Sequence, residues 1–194
     1  SPLRDVYKRQ RLADTPQDPY WHPEGDVWTH TCMVVDALLE QKAYQQATDE
    51  QRFVLFFAAL LHDISKPDTT VFDPQTGRIG QPGHSRRGAV DARLLLWRAG
   101  VPLAIREQIC RIISVHQLPF FALSGNRSGQ TPEFVLHKLS WELPVWMLCA
   151  VAQADMEGRT YVGKSGVLDE IELFRELAGE EGCLYGPCLL YTSL

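Results

Sequence analysis

Apolar residues recur at helical spacing along most of the chain. In GDVWTHTCMVVDALLE they follow Asp26, which is suited to capping a first turn, and they predict a helix from about residue 26 to residue 42. The stretch FVLFFAALLHDISK, Phe53 to Lys66, is apolar on nearly every side and predicts a helix at the centre of a bundle. We expect Asp49 to begin this helix and Lys66-Pro67 to end it.

Most of the remaining chain is also predicted to be helical. Gly100 and Pro144 mark breaks, because glycine commonly follows a helix end and proline cannot continue a helix. The predicted helices run from Ser85 to Ala99, Pro102 to Val115, Thr131 to near Trp141, Val145 to Glu157, and Leu168 to Glu180, the last with Ile171, Leu173, Phe174 and Leu177 on or near one face.

Two stretches lack the helical period. In Thr69 to Gly83, TTVF and GRIG flank DPQT, which predicts a short β-hairpin or an irregular loop. Ser124 to Gly129 is rich in Gly, Ser and Asn and predicts a loop. The fold class is therefore all-α, a helical bundle with a short loop or β-hairpin insertion near residues 69–83.

The two ends of the chain differ from its middle. SPLRDVYKRQ starts without a methionine and lacks the helical period and capping residues of the central region, and CLLYTSL stops abruptly. Both resemble translated sequencing-adaptor sequence. We interpret residues 1–14 as a non-native or disordered tail, 15–182 as one domain with a C-terminal helix, and 183–194 as a truncated linker with a non-native tail, and we expect both ends to be poorly packed.

Composition limits the class of protein. The 194 residues suit one domain, and 45% hydrophobic content is enough to bury a sizeable core. The net charge of −5 excludes a global basic field of the kind that wraps nucleic acid. Apolar runs are shorter than the roughly 18 residues of a membrane span, and a secretion signal is not evident, so we expect a cytoplasmic protein without membrane contact.

The cysteines do not form a recognisable metal or disulfide pattern. The chain has five, an odd number, without a CxxC pair. Cys32, Cys110 and Cys149 lie in helical apolar patterns and are predicted to be reduced thiols of the core.

Histidine and aspartate supply the candidate chemistry. His62 and Asp63 are adjacent at the end of the apolar stretch, where burial of both side chains is unfavourable unless something satisfies them, and a divalent cation would do so. Alone, such a pair is more often a solvated helix end. Successive candidates are, however, far enough apart for a helix and a connection, so separate helices could bring them together: His30, His62 with Asp63, His84, His116 and Asp155.

The ordered set resembles a known family. With LLHDISKP at its centre and QADMEGR at its end, the order His, His-Asp, His, His, Asp is similar to the HD-domain metal-dependent phosphohydrolases, over roughly Tyr20 to Arg159. WHPEGDVWTHT, HDISKP, GHSRRGA and ADMEGR are especially similar to the HD domain of bacterial tRNA nucleotidyltransferases. HQLPFF and the GCL-x-GP segment resemble HD proteins in which the domain precedes a P-loop ATPase or polynucleotide-kinase-like module.

The resemblance implies a metal-dependent phosphomonoesterase or phosphodiesterase. Its substrate would be a phosphorylated small molecule, a nucleotide or an RNA end, including 2′- or 2′,3′-cyclic phosphate ends. His30, His62, Asp63 and Asp155 suffice for one ion, and imidazole with carboxylate suits Mn, Ni, Co, Fe, Mg or Zn. His84 and His116 could hold a second ion with Asp63 as a bridge, or could face substrate phosphate.

Positive charge for the phosphate is available nearby. Lys66, Arg86 and Arg159 are candidate substrate contacts, and Asp63 and Lys66 are the candidate catalytic residues. The alternative interpretation of these cationic side chains is ordinary surface charge, and we favour that interpretation for Arg87. Asp26 could cap its helix, orient a ligand, or do both.

Other polar and aromatic residues have simpler interpretations. His22 and His137 lie outside the family pattern and are given no ligand role. Tyr20, Trp21, Trp28 and the Phe120-Phe121 pair could stack on a nucleobase, although such side chains more often pack in the core or at its rim.

Two alternatives to an enzyme remain. One is a non-catalytic metal- or nucleotide-binding regulatory module of a larger kinase or nucleotidyltransferase protein, with a fused P-loop module that is missing from this sequence. The other is a plain helical bundle with unrelated histidines. The oligomeric state is left open by the sequence.

Overall fold

The computed structural model describes residues 9–123 and 129–187. These residues form a helical bundle with one two-stranded hairpin, so the predicted all-α class is confirmed. The elements are α1 (Val27–Glu40), α2 (Lys42–Gln45), α3 (Asp49–Leu61), α4 (Lys66–Thr69), β1 (Val71–Phe72), β2 (Ile79–Gly80), α5 (His84–Arg98), α6 (Leu103–Val115), a 3-10 helix (Leu118–Phe120), α7 (Pro132–Ser140), α8 (Val145–Glu157) and α9 (Lys164–Glu180).

Side chains fix the starts of the helices that bear on the site. Asp26 caps α1, accepting hydrogen bonds from both the backbone N–H and the hydroxyl of Thr29 at 2.9 Å. Thr48 and Gln51 form a reciprocal capping box at the start of α3. These local bonds fix where each helix enters the bundle.

The central apolar stretch differs from its prediction in two ways. Helix α3 ends at Leu61, and Lys66 begins the short helix α4 with Pro67 in its first turn. Proline is tolerated there because the first-turn N–H groups have no partner within the helix. Helix α8 is also the more central one, because ten of its 13 residues are buried, whereas five of the 13 residues of α3 are.

The hairpin lies within the predicted insertion. Strands β1 and β2 are antiparallel, with Val71 opposite Gly80 and Phe72 opposite Ile79. Asp73 organises the turn, since its carboxylate accepts hydrogen bonds from the backbone of Gln75 and from the hydroxyl of Thr76.

Helix α8 forms the middle of the core. It is apolar on almost all sides and contacts α1, α3, α6, α7 and α9. Helix α9 begins at Lys164, earlier than the predicted Leu168, and buries Ile171 and Phe174. Leu173, predicted to lie on or near the same face, is 51% exposed.

The cysteine prediction holds for two of the three thiols. Cys110 and Cys149 are buried and free, and burial raises the pKa of Cys149 to about 12. Cys32 is free but exposed, so it is not a core thiol. Cys32 lies on the solvent-facing side of α1. The helical spacing of the neighbouring apolar residues did not distinguish that side from the buried side.

The ends and the loop at Ser124 to Gly129 are only partly described. Residues 9–13 are helical and Leu12 is buried, which differs from the poor packing expected before residue 15. Residues 1–8, 124–128 and 188–194 lie outside the described residues, and so does most of the predicted loop.

Among the described helices, none is by itself long and apolar enough to cross a membrane. Helices α7 and α8 meet the length and composition criteria only together, and they are bent by 111° at the break between them.

A close approach between α8 and α1 generates a stability prediction. A Cβ on Gly158 would lie 2.8 Å from the backbone nitrogen of Val34. We expect Gly158→Ala to destabilise the protein by about 1–3 kcal/mol in urea unfolding, because helix backbones must separate to admit the methyl group. Gly179→Ala is the control: it lies at an exposed position of α9, its Cβ meets nothing within 4 Å, and it should be neutral or slightly stabilising. Equal stabilities of the two variants would contradict the close packing.

Candidate metal centre

The structure brings the six candidate ligands together in one buried place. None of their side chains is more than about a tenth exposed. Three groups of three that could hold an ion share residues and together contain all six: His30, His62, Asp63, His84, His116 and Asp155. A fourth group, His22, Glu24 and His30, adjoins them at His30.

Helix ends deliver most of these side chains. His62 and His116 follow the last residues of α3 and α6, and His84 is the first residue of α5. His30 lies in the first turns of α1, and Asp155 lies in the last turn of α8. A helix end can direct a side chain towards the bundle axis without interrupting the apolar packing along the helix.

Three of the imidazoles are oriented by local hydrogen bonds. The Nδ1 atoms of His62, His84 and His116 each lie 2.7–2.8 Å from the carbonyl oxygen of the residue three positions earlier. A carbonyl only accepts, so Nδ1 must carry the proton. In the neutral ring this leaves the Nε2 lone pair free to bind an ion.

The two oxygens of Asp63 face different histidines. Oδ2 lies 3.0 Å from Nε2 of His62 and 3.9 Å from Nε2 of His30. Oδ1 lies 3.4 Å from Nε2 of His84. One carboxylate therefore contacts both the His30–His62 side and the His84 side of the centre.

The two oxygens of Asp155 also face different histidines. Its Oδ1 lies 3.1 Å from Nε2 of His30, and its Oδ2 lies 3.9 Å from Nε2 of His116. Two ligands bound at about 2.0–2.2 Å to a common ion lie roughly 3.0–3.5 Å apart at angles near 90–110°. The shorter separations around Asp63 and Asp155 fall in this range.

Unsatisfied polar atoms show that these residues fit a cation. The buried atoms without a hydrogen-bond partner among the described residues include His116 Nε2, Oδ1 of Asp63 and Oδ2 of Asp155. Such atoms are unfavourable in a dry interior unless an ion or another group binds them. The donor set contains only nitrogen and oxygen, which suits a catalytic divalent ion better than a sulfur-rich structural zinc site.

Protonation favours the ligand forms of most of the set. Burial alone would raise the pKa of Asp63 and Asp155, but His62 and Lys66 beside the first, and Arg159 beside the second, hold both well below the usual range. Burial lowers the pKa of His116 to about 3, so this ring is neutral.

His62 differs from His116 in its charge. Burial alone would lower the pKa of His62, but the adjacent Asp63 carboxylate raises it. An ion bound by His62 would take the place of that proton.

Two cations flank the ligand carboxylates. Lys66 Nζ lies 2.7 Å from Asp63 Oδ2 and donates a hydrogen bond to Gln17 at 2.6 Å. Arg159 donates two hydrogen bonds, at 2.8 and 3.1 Å, to Oδ1 of Asp155. Both are buried, so the alternative of ordinary surface charge does not apply to them, and their contact with substrate stays a prediction. Arg86 is exposed and outside this inner group.

Sequence reasoning missed Glu24. Its side chain is 1% exposed, and its Oε1 lies 2.9 Å from Nδ1 of His30 and 2.8 Å from Nδ1 of His22. Its Oε2 accepts a hydrogen bond from the backbone N–H of Thr160 at 3.1 Å. Glu24 therefore orients His30 from the side opposite the centre, a role that the sequence also allowed for Asp26, which caps α1 instead.

His22 lies behind His30 and does not reach the six-residue centre. The two rings meet edge to face with centroids 4.6 Å apart. Burial lowers the pKa of His22 to about 4, against the opposing effect of Glu24. A neutral His22 donates to Glu24 through Nδ1 and supports the orientation of that carboxylate.

The N-terminal aromatics form a cluster beside the hairpin. Tyr20 and Trp21 lie 5.5 and 5.0 Å from the ring of Tyr161, and Arg78 lies over Tyr20 at 5.7 Å. Tyr20 is 59% exposed. Stacking of these rings on a nucleobase stays a prediction.

Comparison with known proteins gives a family match over much of the chain. The HD domain model matches residues 27–139, more than half of the sequence. The match contains His30, the His62-Asp63 pair, His84 and His116.

Curated relatives share the same region. A multifunctional CCA protein of Halorhodospira halophila is 38% identical over 96 residues, 50% of this chain and 20% of that protein. A CC-adding tRNA nucleotidyltransferase of Thermus thermophilus is 36% identical over 89 residues, 46% of this chain and 19% of that protein. A multifunctional CCA protein of Pasteurella multocida is 30% identical over 158 residues, 77% of this chain and 34% of that protein. The chain thus spans about a fifth to a third of the length of these relatives.

The position of Glu24 generates a binding prediction. Glu24→Gln should lower the affinity for Mn²⁺ about 10- to 100-fold in calorimetric titration, because a neutral amide holds His30 less firmly and makes it less basic. Glu40→Gln is the control, because Glu40 lies at the exposed far end of α1, the helix that carries His30. This change removes the same charge and should leave the affinity for Mn²⁺ unchanged. If both variants bind Mn²⁺ as the parent does, Glu24 does not support a metal ligand.

Proposed function

Because the chain belongs to the HD-domain family, we propose that it is a metal-dependent phosphohydrolase, a phosphomonoesterase or phosphodiesterase acting on nucleotides or on RNA phosphate ends. The observation that carries this proposal is the set of buried imidazole Nε2 and carboxylate oxygen atoms that face one another without hydrogen-bond partners among the described residues. A divalent cation binds atoms of both kinds at once.

The shared carboxylates support two ions. One would be held by His30, His62, Asp63 and Asp155, and the other by Asp63, His84 and His116. Asp63 suits the bridging position because its two oxygens face the two groups of histidines separately. These residues also allow a second arrangement. In it the centre holds one ion, and His84 and His116 face the substrate phosphate.

The chain's own residues would bind and orient the substrate. Divalent ions in such a centre polarise phosphate oxygens and activate water for in-line attack. Lys66 and Arg159 already lie against the ligand carboxylates, so they are positioned to bind the non-bridging oxygens of a phosphate that enters the centre. Burial of the surrounding residues keeps bulk water away and strengthens each of these charge interactions.

The substrate class is supported by both chemistry and relatives. One of the relatives is named as a CC-adding tRNA nucleotidyltransferase, which supports a nucleotide or an RNA end as the phosphate carrier. A short phosphorylated end also suits an acidic protein whose positive charges are local.

A second candidate is a non-catalytic binding module of a larger nucleotidyltransferase or kinase protein. It is favoured by the ion pairs of Lys66 with Asp63 and of Arg159 with Asp155, which neutralise both carboxylates without a metal. It is also favoured by relatives whose names describe nucleotide addition and of which this chain spans only a part. Hydrolysis of a phosphate ester by the protein distinguishes the enzyme from the binding module.

We expect metal-dependent turnover of a phosphate ester. Protein stripped with a chelator should hydrolyse at least one of an aryl phosphodiester, a nucleoside monophosphate and a 2′,3′-cyclic nucleotide after Mn²⁺, Ni²⁺, Co²⁺ or Mg²⁺ is restored. Asp63→Asn should abolish the activity and weaken metal binding, because it removes the charge shared between the two groups of histidines. Asp36→Asn, an exposed change on α1, is the control. Metal binding without turnover on the whole panel would favour the binding module.

Removal of the metal should leave the bundle folded. The core around α8 consists of apolar side chains and does not need a metal to pack, so the helical circular-dichroism signal should persist after chelation. The melting temperature should fall only by the amount that corresponds to losing a ligand that binds the folded state. Wholesale unfolding on chelation would instead indicate a structural metal site.

A further inference from the structure

A groove of about 650 Å³ opens on the surface next to the metal centre. Its first wall comes from the start of α5, its floor from the end of α6 and the following 3-10 helix, and its second wall from α7. The volume is within the range of sites that bind ligands larger than inorganic phosphate.

The groove begins where two candidate metal ligands are held. Ser85 and Gln117 line it, and they directly follow His84 and His116 along the chain. The hydroxyl of Ser85 lies 3.3 Å from Nε2 of His84. The groove therefore lies beside the residues that hold two of the candidate ligands.

The charge of the groove is opposite to that of the chain. Arg86, Arg111 and Lys138 line it, and its lining residues include no aspartate or glutamate among the described part of the chain, whereas the whole chain has a net charge of −5. Local positive charge on an acidic protein attracts an anion to that place rather than to the surface in general.

Two of the three cations are available to a ligand. Arg86 and Lys138 are exposed, and neither forms an ion pair with another described residue. Arg111 pairs with Glu142, and it donates a hydrogen bond to Ser114 at 3.2 Å, so its guanidinium is held in place. The positive charges of Arg86 and Lys138 are therefore available to a ligand, whereas that of Arg111 is held by Glu142.

Apolar surface lies between the charges. Phe121 lines the groove and is 50% exposed, and Leu118 lies beside it. An exposed ring among cations suits a ligand that alternates phosphates with flat bases. Base–aromatic stacking and phosphate contacts together are the usual means of binding single strands.

We propose that this groove binds the single-stranded polynucleotide that precedes a terminal phosphate held at the metal centre. Arg86 and Lys138 contact its phosphates, and a base stacks on Phe121. This assignment rests on the proposed function, because it extends the same site. It narrows the substrate class from nucleotides in general to polynucleotide ends, since a mononucleotide has no further phosphate for these cations.

The test is binding without turnover. A short, fluorescein-labelled oligoribonucleotide with a 3′-phosphate is titrated with the full chain in chelator, and anisotropy is followed at several salt concentrations. The oligonucleotide should bind at least about tenfold more tightly than a nucleoside 3′-monophosphate competitor, with a slope of log affinity against log salt of about −1.4 for two phosphate contacts. Lys138→Ala should reduce the magnitude of that slope by about 0.7.

Stacking is tested separately from charge. Phe121→Ala should weaken oligonucleotide binding about 5- to 150-fold with the salt slope unchanged. Lys42→Ala and Trp97→Ala are matched controls, since both side chains are exposed and outside the groove, Lys42 on α2 and Trp97 near the opposite end of α5. Neither control should change the affinity or the slope.

Three outcomes would overturn the groove assignment. They are equal binding of the oligonucleotide and the monophosphate, variants that behave like their controls, and displacement of the oligonucleotide by an acidic peptide at similar concentration, which would indicate a protein partner. Oligonucleotide binding in the groove by a protein that hydrolyses none of the phosphate esters supports this assignment and contradicts only the hydrolase activity.

Discussion

The candidate metal centre depends on how two ionised carboxylates and several imidazoles are kept together in a dry interior. Asp63 and Asp155 are buried, and each could be stabilised there only by positive charge close by. Lys66 and Arg159 supply one positive charge to each, yet carboxylate oxygens on the inner side still lack partners among the described residues. A divalent cation would complete this balance, and the ends of the surrounding helices meet at that point.

Local hydrogen bonds make this arrangement precise without help from distant parts of the chain. His62, His84 and His116 each donate to a carbonyl of their own preceding turn, so the direction of Nε2 is set as soon as that helix end forms. His30 is the exception, because it is oriented by Glu24, which precedes α1. The close contact of Gly158 with Val34 then holds α8 against α1, and this places Asp155 beside His30.

The sequence predicted the elements that depend on local patterns and did less well where distant contacts decide. Helical periods and the His-Asp pair identified the bundle and its candidate ligands, since both are visible within one or two turns. Lys66-Pro67 begins a helix instead of ending one, because proline at a first turn and proline after a last turn look alike in sequence. Glu24 was missed because its partners, His22, His30 and Thr160, meet only in the folded chain.

The measurement that tests the metal centre most directly is anomalous diffraction from crystals of this protein grown with Mn²⁺. We expect manganese bonded at about 2.0–2.3 Å to Nε2 of His30 and His62 and to oxygens of Asp63 and Asp155, with any second ion between Asp63 and His84. Manganese bound only elsewhere, with Lys66 and Arg159 still closing the centre at saturating metal, would contradict it.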